Sequence, residues 1–128
     1  SFEGLPESWK NLKAGDLSVD GKLPDIDDER VTWVKGWFKD TLPQFVKTYD
    51  PKNKLVIHID SDLYSSALYV LMYLDPFIKP GTVLLFDDFS DIHHEFAAFK
   101  HYLRASLKQV ECMATRRHGL DKPVFVFV

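Results

Sequence analysis

The chain has 128 residues, a mass of 14.8 kDa and a formal net charge of -3 at pH 7, and 45% of its residues are hydrophobic. This composition predicts one soluble globular domain with a hydrophobic core and excludes a disordered chain. The excess of acids argues against a nucleic-acid partner. The apolar runs are shorter than the roughly 18 residues of a membrane-spanning helix, which argues against a membrane.

Residues 1–30 are rich in glycine, proline, aspartate and serine and show no apolar periodicity. They are predicted to form a long surface loop, and a loop of this length favours a functional lid. The predicted domain division is therefore a lid over residues 1–30 and an α/β domain over residues 31–128.

Residues 31–59 are predicted to contain two strands and a helix. The β-branched and aromatic run 31–34 predicts a short strand. The segment from Asp40 to Pro43 predicts a helix start, with a capping side chain and a proline in the first turn. The apolar run Leu55–Ile59 predicts a central strand covered on both faces.

The alternation continues after residue 60. A helix is predicted from Tyr64 to near Pro76, with Met72 on its apolar stripe. A second buried strand, residues 82–86, precedes a helix capped by Asp91.

Two final strands, Val110–Ala114 and Val124–Val128, follow without an intervening helix. They are expected to pair antiparallel through a turn near Gly119. The strand and helix alternation up to residue 107 predicts parallel strands joined by right-handed helical crossovers. The predicted fold class is therefore an α/β sandwich built on an open sheet.

Cys112 is the chain's one cysteine, and we expect it to be a small core residue. Since no internal disulfide can form, a reducing compartment is favoured. The segment Ser1–Gly4 lacks the basic and apolar regions of a signal peptide. We therefore expect a cytoplasmic protein, and the start without methionine suggests a fragment or a processed product.

Aspartates follow both buried strands: Asp60 and Asp62 come after the first, and Asp87 and Asp88 after the second. Ligands of open α/β sheets bind beyond the carboxyl ends of strands, and neighbouring strands lie about 4.8 Å apart. Like charges that close need a neutralising cation, and Mg²⁺ suits carboxylates, waters and substrate oxygens. A metal or catalytic site is therefore predicted, although a single acid such as Asp62 or Asp88 could be only a helix cap.

Two histidines follow the second acid pair. His93 and His94 could act as base or ligand, but histidines at a helix start are more often ordinary surface.

Two other classes of protein also place acids after strands, and both fit less well. A haloacid-dehalogenase-type phosphatase uses Asp-x-Asp after a strand. That phosphatase also needs a lysine on an element between its two acid motifs. Here only one helix separates the two motifs, which leaves no room for the lysine. A receiver domain has a Lys-Pro like Lys122-Pro123, but its acid pair comes first in the chain, so we reject it.

Four segments in order carry a family resemblance: residues 1–7 (SFEGLPE), 34–43 (VKGWFKDTLP), 59–66 (IDSDLYSS) and 80–89 (PGTVLLFDDF). Together they resemble the macrocin-type O-methyltransferases, S-adenosylmethionine-dependent enzymes of antibiotic and sugar tailoring. The resemblance covers nearly the whole chain. It implies a Rossmann-like class I methyltransferase sheet in a three-layer sandwich.

The resemblance also implies residue roles. Asp60, Asp87 and Asp88 match the acids that bind Mg²⁺ or another divalent cation, and Asp62 matches the general base. The metal would hold the hydroxyl of a small-molecule acceptor and lower its pKa, while Asp62 takes the proton.

We assign S-adenosylmethionine binding to Ser1, Phe2, Gly36 and Trp37, which lie in the first two of these segments. Trp37 by itself is more typical of a core or rim residue than of a ring-stacking platform, but it follows a glycine at a strand end, where a ligand could reach its ring.

The chain departs from the class I pattern at the cofactor cradle. Its six glycines form no glycine-rich turn, and by resemblance the first two strands and the first helix are missing. We therefore expect a carboxyl-terminal part that carries the metal and acceptor half. The absent strand would leave an open edge on the Leu55–Ile59 strand, which predicts a homodimer or pairing of residues 31–34 into the gap.

The favoured function is a metal-dependent O-methyltransferase for a sugar or small polyhydroxylated acceptor, which is expected to be incompetent without its cofactor cradle. The alternative is a methyltransferase-like interaction module without turnover.

Overall fold

The computed structural model describes residues 1–116 and 121–128. These residues form two compact units, Ser1–Lys47 and Thr48–Val128. The boundary between the units thus lies 17 residues beyond the predicted division after residue 30. The role of residues 1–30 as a lid stays a prediction.

The first 30 residues form an irregular segment without helix or strand. Leu5 is buried there, and its N–H donates to the Asp16 carbonyl (3.0 Å) while its carbonyl accepts from the Gly15 N–H (2.9 Å). Gly4 beside it has a φ of +82°, and a Cβ at this position would lie 2.4 Å from the Gly15 oxygen. The turn therefore requires glycine at this position, because any side chain would collide with backbone.

Helix α1 spans Phe38–Thr48 and begins earlier than predicted. The Trp37 carbonyl accepts from the N–H groups of Asp40 (3.0 Å) and Thr41 (3.1 Å), which closes the first turn. Asp40 is therefore an acid in the first turn, where it interacts favourably with the helix dipole. Pro43 lies inside the helix.

The predicted strand at residues 31–34 is wrong. These residues form no strand in the described chain, and the side chains of Val31, Trp33 and Val34 are exposed. A strand needs hydrogen bonds from a neighbouring strand, and β-branched residues alone do not supply them. The expectation that this run fills the open edge of the sheet is wrong for the same reason.

The second unit alternates strands and helices. Its elements are β1 (Val56–Ile59), α2 (Tyr64–Leu74), a 3₁₀ turn (Asp75–Phe77), β2 (Val83–Phe86), α3 (Glu95–Ser106), β3 (Val110–Arg116) and β4 (Asp121–Phe127).

These strands form one mixed sheet with the order β1-β2-β4-β3. β1 and β2 are parallel, whereas β4 is antiparallel to both β2 and β3. The α/β class and the antiparallel pairing of the last two strands are confirmed. The turn predicted near Gly119 lies outside the described residues. The Rossmann-like details and the three-layer arrangement stay predictions.

Helices α2 and α3 pack against each other. The buried face of α2 consists of Ala67, Leu71 and Leu74, at the spacing of one helix face. Met72 lies off this face and is 53% exposed, so its predicted place on the apolar stripe is wrong. None of the described helices is long and apolar enough to cross a bilayer.

A cluster of phenylalanines from the sheet, the loop after β2 and helix α3 lies in the core. Rings of Phe86, Phe89, Phe99 and Phe125 contact one another with centroid separations of 4.7 to 6.3 Å. Each fully buried side chain of this size stabilises the fold by about 1.5–3 kcal/mol. Since Phe86 and Phe89 flank residues 87 and 88, this cluster anchors the loop after β2 on both sides.

β1 is an edge strand, with β2 as its one partner among the described strands. Its side chains alternate between exposed and buried, and Val56 is 59% exposed while Ile59 is 3% exposed. The prediction of a central strand covered on both faces is therefore wrong for the described chain. Cys112 in β3 is also exposed, so its predicted place in the core is wrong.

Asp75 joins the 3₁₀ turn to helix α3 and to the segment that follows this helix. Its Oδ1 accepts from the hydroxyl of buried Tyr102 (2.8 Å) and from the Lys108 ammonium (2.6 Å), which also donates to the Ile78 carbonyl (3.0 Å). Burial by itself would raise the pKa of Asp75, but the hydrogen bonds from Lys108 and Tyr102 hold it below its usual value. The carboxylate therefore stabilises the fold in its charged form.

We expect Asp75→Asn to lower the free energy of unfolding at pH 7 by about 1 kcal/mol, discounted for partial exposure. The folded pKa of Asp75 lies below the unfolded value of about 3.9, so its contribution is complete above that pH and is lost as the pH falls through the folded pKa. Urea unfolding at a series of pH values measures this acid limb. The loss of stability towards low pH should be smaller in Asp75→Asn than in the wild type or in the exposed control Asp50→Asn. An equal loss of stability in all three proteins would contradict the stabilising role of the Asp75 carboxylate.

The homodimer through the open edge of β1 stays a prediction. The carbonyls of Leu55 and Ile59 face β2, so the backbone groups of Val56 and His58 face outward. We expect light scattering to give about twice the chain mass at high concentration. His58→Pro, which removes an outward N–H that β2 does not use, should restore the monomer. A wild-type monomer at every concentration would rule this dimer out.

Candidate functional site

The parallel pairing of β1 and β2 determines where the acids lie. Ile59 stands opposite Phe86 in the register, and the Asp87 N–H donates to the Ile59 carbonyl (3.0 Å). The chain therefore leaves both strands side by side, and one carboxylate oxygen each of Asp60, Asp87 and Asp88 lie within 4.8 Å of one another. We call these three residues the aspartate cluster. The structure brings the predicted metal ligands together.

Lys122 on β4 contacts this cluster. Its ammonium forms an ion pair with Asp87 Oδ1, and this hydrogen bond raises the pKa of Lys122. The antiparallel register, Leu85 opposite Val124, brings Lys122 alongside Asp87 two residues further on. Sequence analysis missed this contact, because it depends on β4 lying next to β2.

The aspartate cluster fits a divalent cation. Its oxygens are hard donors of the kind that Mg²⁺ prefers, and Asp60 is exposed, which leaves water and substrate oxygens access to the site. Among the residues that the structure describes, Lys122 pairs with Asp87 and offsets only part of the charge of three carboxylates, so a further cation would be favourable. Metal binding itself stays a prediction.

Asp62 lies at the centre of a tight turn after β1. The Leu63 N–H donates to the Ser61 carbonyl (2.6 Å), and Asp62 has a φ of +61°. Aspartate is one of the few residues other than glycine that adopt this left-handed conformation routinely. Leu63 is the N-cap residue of α2, so the alternative of Asp62 as the N-cap of this helix is not met. Its role as a base stays a prediction.

His93 and His94 both lie just before α3 and both form local hydrogen bonds. The Tyr64 N–H donates to Nδ1 of His94 (3.3 Å), so that nitrogen supports the first residue of α2. His93 is exposed, and its backbone N–H donates to Asp91 Oδ1 (3.1 Å). Because α3 begins only at Glu95, Asp91 caps the preceding turn, and its predicted role as cap of the helix is wrong.

Glu95 is a fully buried acid that sequence analysis did not single out. Its Oε1 accepts from the Ser61 N–H (3.0 Å) and its Oε2 from the Asp88 N–H (3.1 Å). Burial raises the pKa of Glu95, while these backbone hydrogen bonds oppose the rise. The sequence did contain a signal for this burial: Phe99 and Tyr102 follow Glu95 at the i+4 and i+7 positions, so Glu95 lies on the apolar face of the helix.

The residues assigned to the cofactor lie in the first unit. The Ser1 hydroxyl and the Trp37 indole N–H both donate to the Gly4 carbonyl, at 2.9 and 3.3 Å. Phe2 is half-buried, and Gly36 has a φ of +127°. The two side-chain donors thus support the fold of their own unit, and binding of S-adenosylmethionine by these four residues stays a prediction.

Comparison with known families identifies the class of protein. The Macrocin-O-methyltransferase (TylF) family matches residues 18–117, a range that includes both aspartate-bearing loops. The chain belongs to this family, and the resemblance inferred from its four segments is confirmed. The reaction named for this family implies S-adenosylmethionine as the methyl donor of its members.

Curated relatives carry O-methyltransferase names. The chain is 41% identical to the 8-demethyl-8-(2,3-dimethoxy-alpha-L-rhamnosyl)-tetracenomycin-C 4'-O-methyltransferase of Streptomyces olivaceus, over 70% of this chain and 40% of the relative. It is 30% identical to the demethyldecarbamoylnovobiocin O-methyltransferase of Streptomyces niveus, over 70% of this chain and 39% of the relative. The mycinamicin III 3''-O-methyltransferase of Micromonospora griseorubida is 34% identical over 48% of this chain and 23% of the relative.

The chain therefore spans about two fifths of the length of the first two relatives. No solved structure matches the chain significantly.

Proposed function

We propose that the chain carries the metal and acceptor half of an S-adenosylmethionine-dependent O-methyltransferase. One observation supports this most directly: three aspartates converge at the carboxyl ends of parallel β1 and β2, in a chain that belongs to an O-methyltransferase family. This edge of an open α/β sheet is where ligands bind.

In this proposal Asp60, Asp87 and Asp88 hold Mg²⁺ or another divalent cation. When bound, the ion would lower the pKa of an acceptor hydroxyl and orient it. Lys122 holds Asp87 from the opposite side, on β4, and restricts the orientation of that carboxylate.

Asp62 takes the proton of the acceptor hydroxyl as general base. The O–H bond breaks as a new O–C bond forms to the methyl group of S-adenosylmethionine, whose methyl–sulfur bond breaks so that S-adenosylhomocysteine leaves. The turn at Asp62 presents the carboxylate from a fixed backbone conformation, since the Ser61 carbonyl and the Leu63 N–H are bonded to each other. Such preorganisation keeps a base close to its proton.

The acceptor is proposed to be a hydroxyl of a sugar-bearing small molecule. The name of the Streptomyces olivaceus relative includes a rhamnosyl group on its substrate. Exposed Asp60 leaves the aspartate cluster open to a polyhydroxylated ligand.

An interaction module without turnover is the alternative, and absence of methyl transfer in a chain that still binds the metal would favour it. The family match supports methyl transfer over the phosphatase reading, which shares only the Asp-x-Asp motif.

We expect calorimetric titration of Mg²⁺ into the wild-type chain to give binding heat that Asp87→Asn reduces strongly. The substitution keeps the size of the side chain but removes a charged oxygen ligand. The control Asp27→Asn changes an exposed acid of the other unit and should bind as the wild type does. Equal heats for Asp87→Asn and the wild type would remove the metal site.

We expect Asp62→Asn in the full-length protein to lower turnover by about 10²–10⁴-fold, because the general base is lost. Mass spectrometry measures release of S-adenosylhomocysteine with sugar and polyphenol acceptors, with and without Mg²⁺. Asparagine tolerates the left-handed conformation of residue 62, so the turn is kept.

Asp50→Asn is the control for this variant, since Asp50 is an exposed aspartate outside the predicted lid. It should turn over as the wild type does. Unchanged turnover in Asp62→Asn would eliminate Asp62 as the base.

A further inference from the structure

Glu95 has no part in the proposed reaction, yet its carboxylate is buried between the two loops that carry the acids. The side chain is 0% exposed, and its two oxygens bind different loops. One accepts from Ser61, which lies between Asp60 and Asp62, and the other accepts from Asp88. A single rigid group therefore joins the loop after β1 to the loop after β2.

Burial of an acid is unfavourable unless hydrogen bonds compensate for the lost water. Here the compensation comes from backbone N–H groups of the loops and from the N-terminal end of α3, where a negative charge is stabilised. These contacts are to backbone atoms, so they position the chain itself. The two hydrogen bonds of Glu95 do not use the carboxylate oxygens of the aspartate cluster, although the charges of Glu95 and Asp88 repel each other.

Seating of α3 in the core does not require an acid at residue 95. Phe99 and Tyr102, on the same helix face, are buried in the core and already anchor the helix. The feature that distinguishes glutamate is its pair of acceptors, each directed at one loop.

We propose that Glu95 is a positioning residue that holds the loops after β1 and β2 at a fixed separation, and so sets the geometry of the aspartate cluster. The effect on metal binding rests on the proposed function, whereas the link between the loops does not. Partners of this kind, outside the direct ligands, orient metal-binding carboxylates, and their loss typically weakens metal affinity.

The test is Glu95→Gln, which keeps the shape but replaces one acceptor oxygen with an NH₂ donor, so one loop loses its partner. We expect Mg²⁺ to bind this variant about 10–100-fold more weakly than the wild type by calorimetry. Glu111→Gln, the same change at an exposed site on β3, should bind as the wild type does. Circular dichroism and the unfolding midpoint show whether Glu95→Gln is folded when its Mg²⁺ affinity is measured.

Hydrogen exchange of the Ser61 and Asp88 amides gives a readout without metal. Both should be protected in the wild type, and at least one should exchange faster in Glu95→Gln while the Leu84 amide in β2 stays unchanged. If the wild type binds no Mg²⁺ but these amides respond as expected, the metal assignment fails and the link between the loops stands.

A folded Glu95→Gln with wild-type Mg²⁺ affinity and unchanged exchange at both amides would overturn the proposal. If Glu95→Gln does not fold, Glu95→Asp is measured in the same way, because it keeps both oxygens but shortens their reach by one methylene. Weaker Mg²⁺ binding or faster exchange in Glu95→Asp supports the proposal, and wild-type values overturn it.

Discussion

The parallel pairing of β1 and β2 is the constraint on which the candidate site depends. With Ile59 opposite Phe86, the two strands end at the same level, and the acids that follow them are forced into one small volume. A slip of one residue would turn every side chain of a strand to the other face of the sheet. Since Ile57, Ile59, Leu84 and Phe86 are buried, the hydrophobic core fixes the register and thereby the site.

Charge is the second constraint, and the structure meets it with three kinds of partner. Lys122 forms an ion pair with Asp87, while backbone N–H groups and the start of α3 stabilise buried Glu95. Asp60 remains exposed to water. The arrangement leaves the aspartate cluster with an excess of negative charge, which suits a divalent ion and an acceptor rich in hydroxyls.

Two mistaken expectations have a common cause. The run at 31–34 has the composition of a strand but pairs with none in the described chain, and the run at 55–59 has the composition of a strand covered on both faces, but one of its faces is exposed. Composition reports how well a side chain fits a pleated, partly covered surface. It does not report which neighbour supplies the hydrogen bonds, because that neighbour is distant in sequence.

The sequence by itself determined the α/β class, the approximate positions of α2, α3 and the four strands, the acids after β1 and β2, and the family. These features follow from local periodicity and from motifs within short segments. Only the tertiary structure decided that β4 lies beside β2, which brings Lys122 to Asp87, and that Glu95 reaches Ser61 and Asp88. Both contacts join residues that pattern reading cannot connect, since they arise from the order of the strands and from the contact of α3 with the loops that follow β1 and β2.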